Sequence, residues 1–408
     1  MIGISKLYCG TVEPGDVLRY GAESKRLPSH LLQFSADKKP VVVWNCTRTC
    51  NLRCIHCYSR SENKRYDELS TDEAGRMLED LASFGVPVVL FSGGEPLMRP
   101  DLMDLIDRAV GLGMRAVLST NGTLIDTGVA ARLKAAALSY VGVSLDGLKQ
   151  VNDEFRGVAG AFDRAMAGIR NCMAAGIKVG LRFTITKRNA AEIDGIFDLI
   201  RDVGIPRVCF YHLVYAGRGT SLMNEDLDHA ATRRVVDKII DRTAELHAAG
   251  HAPEVLTVDN HADGPYLYRR MVREQSPRAD EVKQLLQMNR GNSSGHGIGC
   301  ISWDGSVHAD QFWRHVTFGN VRERPFSDIW TDLSNPLMAR LKDKRPHVKG
   351  RCATCRYLDV CGGNFRVRAE AATGDLWAPD PACYLTDEEI AIAADAPDMP
   401  CAPPDHSE

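Results

Sequence analysis

Three cysteines in one short loop constrain this chain more than any other feature. Cys50, Cys54 and Cys57 follow the apolar run 40–45, PVVVWN, which predicts a buried strand. Three thiols spaced C-x3-C-x2-C suit a cubane iron–sulfur cluster, in which each thiolate binds one iron. No fourth cysteine follows nearby. One iron would therefore be open to a substrate or cosubstrate, like the open position of a catalytic zinc site.

A structural zinc site and a disulfide knot are the alternatives for this loop. Structural zinc sites usually pair two C-x2-C arms, and the loop has one. Disulfides form in oxidising compartments, and the N-terminus, MIGISKLYC, lacks the apolar core of a secretion signal. The sequence therefore favours the cluster.

Composition excludes several classes of protein. The 408 residues carry a net charge of −3, which gives no basic surplus for nucleic acid. No apolar run is long enough to span a bilayer, and we expect a cytoplasmic location. Thirteen cysteines in a reducing compartment indicate metal or redox chemistry rather than disulfides.

Strand and helix patterns alternate through the first 255 residues. A capping box at Ser70 begins the first helix after the cysteine loop, and Gly85 ends it. Six β/α steps with short apolar strands predict an α/β fold in which helices cover a parallel sheet, and an eight-strand barrel would need more repeats. The predicted strands cover residues 40–45, 86–91, 115–119, 140–145, 178–185 and 207–213.

We expect five segments along the chain. An N-terminal arm covers 1–39, the core 40–255 and a connecting segment 256–298, of which 275–295 is polar and partly flexible. A Cys-rich C-terminal domain follows at 299–394, and a polar tail covers 395–408.

The cysteine loop resembles the signature of the radical S-adenosylmethionine (SAM) enzymes. His56 stands where that family prefers an aromatic residue. The resemblance implies a partial (β/α)6 barrel in which SAM chelates the open iron of a [4Fe-4S] cluster. An external one-electron donor of flavodoxin or ferredoxin type would drive SAM cleavage to a 5′-deoxyadenosyl radical.

Loops at the ends of the predicted strands resemble the family's SAM-binding motifs. The segment SGGEP at 92–96 matches the motif that contacts the SAM amino group, and STNG at 119–122 and SLDG at 144–147 suit ribose hydroxyls. The resemblance implies that an arginine pairs with the SAM carboxylate. The candidate SAM contacts are Gly93, Gly94, Glu95, Asn121, Ser144, Asp146, Arg156 and Arg182.

A second cysteine set follows near the C-terminus. Cys352, Cys355, Cys361 and Cys383 could hold either a closed iron–sulfur cluster or zinc. The x5 gap after Cys355 resembles one half of the SPASM domain, which often follows a radical SAM barrel.

A full SPASM domain carries a second auxiliary cluster, and this sequence departs from that pattern. Asp310 and Phe365 stand where two of its cysteines are expected. We therefore expect one auxiliary cluster, which makes two [4Fe-4S] clusters in total. Cys300 is then either a free thiol near the substrate or a buried cysteine, and Cys300 and His308 are the catalytic candidates.

Three segments resemble family members that act on tetrapyrroles in the alternative heme and heme d1 pathways. They are DGSVHADQFWR at 304–314, MIGISKLYCG at 1–10 and the Trp44-Asn45 entry to the cysteine loop. The resemblance implies radical-initiated loss of two acetate side chains from didecarboxysiroheme, which gives iron-coproporphyrin III. Such a polycarboxylate needs arginines, apolar walls and an axial histidine. Beside Arg182 and His308, the substrate candidates are His212, Tyr215, Arg218, Trp313, Arg314 and Arg366.

Three other functions remain open. A heme d1 enzyme or a coproheme-decarboxylating heme synthase would share the tetrapyrrole features. A SPASM peptide maturase would usually carry an N-terminal leader-recognition domain, for which 39 residues are too few. An electron carrier or zinc-binding adaptor would not need the SAM motifs.

Overall fold

A computed structural model of the chain describes residues 1–11 and 39–391. The expected tail at 395–408 and most of the expected N-terminal arm lie outside the described residues.

The described strands form one eleven-stranded sheet. Its spatial order is β1-β8-β7-β6-β5-β4-β3-β2-β9-β10-β11. The strands are β1 Ile2–Gly3, β2 Val41–Thr47, β3 Val88–Gly93, β4 Arg115–Thr120, β5 Tyr140–Ser144, β6 Val179–Ile185, β7 Arg207–His212, β8 Glu254–Val258, β9 Ile298–Ile301, β10 Ser306–His308 and β11 Gly319–Asn320.

Strands β2 to β8 run parallel, each hydrogen-bonded to the next along the chain. Helices connect them, as parallel strands require. This confirms the predicted α/β fold, and each of the six predicted strands is present. The helices up to residue 248 are α1 Ile4–Cys9, α2 Thr71–Phe84, α3 Leu102–Gly111, α4 Thr127–Ala135, α5 Lys149–Arg156, α6 Ala161–Ala174, α7 Ile193–Val203 and α8 His229–Ala248.

Helix α2 shows why the local signals were informative. The Ser70 side chain accepts a hydrogen bond from the Glu73 N–H, and the Glu73 carboxylate accepts one from the Ser70 N–H. Gly85 ends the helix with φ at 88°, a left-handed conformation that glycine adopts without strain. Both ends therefore follow the sequence prediction.

Strand β8 is a seventh parallel strand that the pattern did not reveal. It is buried along its whole length, although it begins with a charged residue, Glu254. The predicted end of the core at residue 255 falls inside it. Its partner on the other side is the short antiparallel strand β1, so the N-terminus closes one edge of the sheet.

The C-terminal region continues the same sheet. Strand β9 pairs in parallel with β2, and β10 and β11 follow as antiparallel neighbours. The segment 275–295, expected to be partly flexible, contains an eleven-residue helix at 279–289 with two buried side chains, Val282 and Leu286. The remaining helices are α9 Asp263–Arg273, α10 Ala279–Asn289, α11 Phe326–Thr331, α12 Pro336–Lys342, α13 Leu358–Cys361, α14 Arg366–Thr373 and α15 Asp387–Ile390.

A buried ion pair attaches this region to the barrel. Arg368 and Asp380 are both fully buried, with Nε and Oδ1 2.8 Å apart. The same guanidinium donates to the main-chain carbonyls of Leu213 and Asp259, just beyond β7 and β8. No helix among the described residues has the length and apolar character needed to cross a membrane.

Candidate functional site

A cavity opens at the carboxyl ends of the parallel strands, where ligand sites of such sheets lie. It encloses about 1050 Å3 of space outside protein atoms, including solvent at its mouth. One end is formed by the cysteine loop and the ends of β3 to β5, and the other by the ends of β7 and β8 with residues 311–312.

The three thiols of the first cysteine loop line one end of this cavity. Each has a nearby hydrogen-bonding group. Cys50 Sγ accepts from the Leu52 N–H at 3.4 Å, Cys54 Sγ accepts from Arg156 Nη1 at 3.5 Å, and Cys57 Sγ lies 3.2 Å from Ser59 Oγ. Hydrogen bonds to cluster sulfurs of this kind tune iron–sulfur centres.

The chemistry of these thiols fits the cluster that the loop predicts. Burial raises the pKa of Cys50 to about 12, so its thiolate needs a bound cation. The irons of a cluster, each held by one thiolate, would supply such cations.

The two glycines of the predicted SAM motif press against the cysteine loop. A Cβ on Gly93 would lie 2.2 Å from the Thr47 carbonyl oxygen, and one on Gly94 would lie 2.2 Å from that of Thr49. Gly93 also has a φ of 130°. Only glycine fits there, and both residues line the cavity.

Glu95 lies behind the cavity rather than in its wall. It is fully buried, and its carboxylate accepts hydrogen bonds from the Leu97 N–H, the Thr120 hydroxyl and the Asn121 N–H. It therefore connects the loop after β3 to the loop after β4. Asn121, by contrast, lines the cavity.

Asp146 likewise lies beneath the cavity and orients two residues that line it. It is fully buried, forms an ion pair with Arg156 at 2.5 Å and lies 3.3 Å from His56 Nε2. Its Oδ1 accepts the Thr184 N–H at 2.7 Å. Burial lowers the pKa of His56 to about 4 in spite of Asp146, so the His56 ring is neutral at pH 7. Arg156 thus connects this carboxylate to the Cys54 thiol.

Ser144 and Arg182 also line the cavity. Arg182 Nη1 donates to Ser119 Oγ at 2.6 Å, and its guanidinium lies 5.0 Å from the ring centre of Tyr211. It stands between the two ends of the cavity and can reach a ligand in either.

Of the six predicted substrate residues, His212 lines the cavity. Its Nε2 is 3.0 Å from Asp263 Oδ2, and Tyr384 donates to Asp263 Oδ1 at 2.7 Å. Burial opposes ionisation of Asp263, but the His212 ring and these hydrogen bonds outweigh it and lower its pKa. With Asp263 ionised, Nε2 carries the proton.

The other five substrate candidates do not line the cavity. Arg218 donates to the main-chain carbonyls of Cys54 and Ser61. Arg314 donates to that of Ser59, and Arg366 donates to those of Leu376 and Ala378. Tyr215 donates to Asp226, and Trp313 donates to Glu370. These side chains stabilise loops around the cavity.

The two catalytic candidates do not line the cavity either. Cys300 is fully buried, and its Sγ is 3.5 Å from Asn45 Nδ2. His308 is held between Ser302 and the Val316 carbonyl. Cys46, Cys172 and Cys209, which stand alone in the sequence, are buried.

Sequence reasoning missed several residues of the cavity wall. Tyr58, Tyr211, Asp259, Gln311 and Phe312 line it. Tyr211 lies within β7, a predicted strand, whereas Asp259 directly follows β8 and would have been a candidate had β8 been recognised. The other three lie on loops and carry no periodic signal.

The second cysteine set converges in the C-terminal region. Burial raises the pKa of Cys361 well above its usual value, and the thiols of Cys383, Cys352 and Cys355 raise it further. The Cys361 thiol therefore lies within electrostatic range of the other three. All four are partly exposed, and they fit a closed cluster near the protein surface.

Comparisons with known proteins agree with this geometry. The Radical SAM superfamily profile matches residues 44–200, and that of the SPASM iron-sulfur cluster-binding domain matches 296–356. Fe-coproporphyrin III synthase of Methanosarcina barkeri (strain Fusaro / DSM 804) is 65% identical, covering 96% of this chain and 99% of that protein. Pre-heme d1 synthase of Dinoroseobacter shibae (strain DSM 16493 / NCIMB 14021 / DFL 12) is 45% identical, covering 88% and 89%.

A solved structure shows the same fold. Streptococcus suis SuiB bound to its precursor peptide SuiA superposes with a TM-score of 0.69 at 21% identity, covering 88% of this chain and 79% of SuiB. Motifs, cavity and relatives agree on SAM, a [4Fe-4S] cluster and an additional iron–sulfur cluster as cofactors. The chain is an enzyme of the radical SAM superfamily with a SPASM domain.

Proposed function

We propose that this enzyme removes two acetate side chains from 12,18-didecarboxysiroheme and forms iron-coproporphyrin III in heme biosynthesis. The observation that carries the proposal is the 65% identity, over nearly the full length of both chains, to a protein named Fe-coproporphyrin III synthase. A radical SAM enzyme of tetrapyrrole synthesis is also what the motifs at 304–314 and 1–10 favour.

The lining of the cavity supports a flat substrate. Tyr58, Tyr211 and Phe312 supply aromatic surface, and Leu213 and Val214 supply apolar surface. Arg182 stands among them as a cation for a carboxylate. Such walls suit a macrocycle with acidic side chains.

Bound SAM and its cluster would supply the radical chemistry, and the polypeptide supplies position. Gly93 and Gly94 bring the backbone after β3 to the cavity beside the three thiols, Arg156 and Asn121 offer donors, and Ser144 offers a hydroxyl. Arg182 and His212 face the space in which the macrocycle would lie.

Electron supply is part of the proposal. We assign it to an external one-electron donor of flavodoxin or ferredoxin type, with the partly exposed C-terminal thiols marking the position of a relay cluster. A cytoplasmic location accords with the twelve described cysteines, all free of disulfides.

The test is an anaerobic assay with dithionite, SAM and 12,18-didecarboxysiroheme. Iron-coproporphyrin III and 5′-deoxyadenosine are the expected products. The variant with Cys50, Cys54 and Cys57 replaced by Ala should lose about half of the iron and all SAM cleavage. The matched variant at Cys352, Cys355 and Cys361 should lose iron but keep some SAM cleavage. Recovery of 5′-deoxyadenosine with an unchanged tetrapyrrole would reject the substrate and keep the enzyme class.

A further inference from the structure

Asp259 is a buried carboxylate in the cavity wall that the proposed chemistry does not use. It follows β8 directly, lines the cavity and is 7% exposed. Its Oδ2 is buried and has no hydrogen-bond partner among the described residues. A buried polar atom without a partner is costly, and each instance in a native protein requires an explanation.

The backbone at Asp259 supports a specific role. Its φ of 66° lies in the left-handed region, which Asp and Asn tolerate better than other side chains. Arg368 Nη2 donates to its main-chain carbonyl at 2.8 Å and fixes this conformation. The backbone is therefore held so that the side chain meets the cavity.

The groups around Asp259 act on its pKa in opposite directions. Its pKa is raised to about 6. Burial is the largest cause and Asp310 acts in the same direction, whereas the N-terminal amine, Arg368 and Arg182 lower the pKa. Arg368 forms its ion pair with Asp380, and Arg182 donates to Ser119. Tyr211, on the neighbouring strand, is the other titratable group that interacts with it. Asp259 thus exchanges its proton close to neutral pH.

We propose that Asp259, in its protonated form, donates a hydrogen bond to a carboxylate of the tetrapyrrole and so positions the macrocycle. The proposal rests on the proposed function, since it needs a polyanionic substrate. Two carboxyl groups in one buried site cannot both ionise cheaply, so they share one proton. Asp259 is a positioning residue, and substrate binding is coupled to the uptake of one proton.

Linkage gives the expected pH dependence. An ionised Asp259 repels the substrate, so the dissociation constant rises with pH above 6. One proton taken up corresponds to at most about tenfold weaker binding per pH unit, or about 50-fold between pH 6 and pH 8. The carboxylates of the substrate are already ionised throughout this range.

The test compares the wild type with Asp259→Asn. Asn keeps the left-handed backbone and an N–H donor but cannot ionise. The reconstituted enzyme is titrated anaerobically with iron-coproporphyrin III or didecarboxysiroheme between pH 6 and pH 8, and binding is followed by absorbance. Asp259→Asn should bind at pH 8 as tightly as the wild type at pH 6, with no pH dependence from this site. Calorimetry in two buffers should show that Asp259→Asn takes up one proton fewer than the wild type when the tetrapyrrole binds at pH 8.

Asp310→Asn is the matched control. Asp310 is a buried acid outside the cavity wall whose carboxylate accepts the N–H groups of Phe312 and Trp313. Its removal should keep the pH dependence but move it to lower pH, because its charge raises the pKa of Asp259. Melting temperatures check that both variants fold.

Three results would overturn the proposal. One is weaker binding by Asp259→Asn at every pH, as expected if the carboxylate contacts iron or iron-bound water. Another is wild-type binding independent of pH. Absence of tetrapyrrole binding by the wild type would overturn the proposed function as well, whereas the first two results leave it intact.

Discussion

The carboxylate of Asp146 organises the cluster end of the cavity, and replacing it with an amide tests that role. Asp146 is fully buried, pairs with Arg156 at 2.5 Å and accepts the Thr184 N–H at 2.7 Å. In Asp146→Asn the amide oxygen could still accept from Thr184, but the amide N–H groups would face the guanidinium. The buried cation of Arg156 would then lack its counter-charge.

The expected cost follows from this burial. Removing one partner of a buried ion pair costs about 3–5 kcal/mol, because the other charge stays buried and unpaired. Unfolding entropy of about 2.1 cal/mol/K per residue gives about 0.9 kcal/mol/K for 408 residues. Asp146→Asn should therefore lower the melting temperature by about 3–6 °C.

The assay is anaerobic calorimetry of the protein containing both clusters, with the variants Asp146→Asn, Arg156→Gln and their combination. The double variant should be more stable than the sum of the single effects predicts, because no unpaired charge remains. SAM cleavage by Asp146→Asn should fall about 10–100-fold, the usual effect of disturbing a residue that orients a metal-site ligand or its partner. A melting temperature within about 1 °C of the wild type, or strictly additive effects, would refute the reasoning.

Two further substitutions test other connections. Arg368→Met leaves Asp380 buried without its ion-pair partner and removes the donor to the carbonyls of Leu213 and Asp259. It should lower the free energy of unfolding by about 3–5 kcal/mol, measured by thermal unfolding, and weaken tetrapyrrole binding. Unchanged binding would contradict the assigned role. Glu95→Gln removes one acceptor oxygen from a carboxylate that receives three hydrogen bonds. It should lower the free energy of unfolding by about 1–3 kcal/mol and weaken SAM binding, which equilibrium titration measures. The exposed control Glu79→Gln should change neither quantity.

Features set by short stretches of sequence could be predicted. The cysteine loop, the capping box at Ser70 and the strands β2 to β7 depend on spacing and periodicity within a few residues. Gly93 and Gly94 were recognised because a motif names them, and the structure adds the reason, the close approach of the Thr47 and Thr49 carbonyls.

Features set by distant partners could not be predicted. Arg218, Arg314 and Arg366 have the chemistry of carboxylate binders. In the structure, however, their N–H groups donate to main-chain carbonyls elsewhere in the chain. No pattern in the sequence reveals that use. Asp259 was missed because β8, the strand that it follows, was not recognised; this strand begins with the charged residue Glu254.

The geometry divides the cavity between two parts of the chain, and this division has a consequence for specificity. The cluster end is built by the loops after β2 to β5, within the region shared with the radical SAM superfamily. The opposite end depends on contacts made by the C-terminal region, where Tyr384 holds Asp263 against His212 and Phe312 closes the wall. Packing in the C-terminal region can therefore reshape the substrate end. The two ends are nevertheless connected, because Arg314 donates to the Ser59 carbonyl beside the cysteine loop and the Phe312 ring packs on Tyr58.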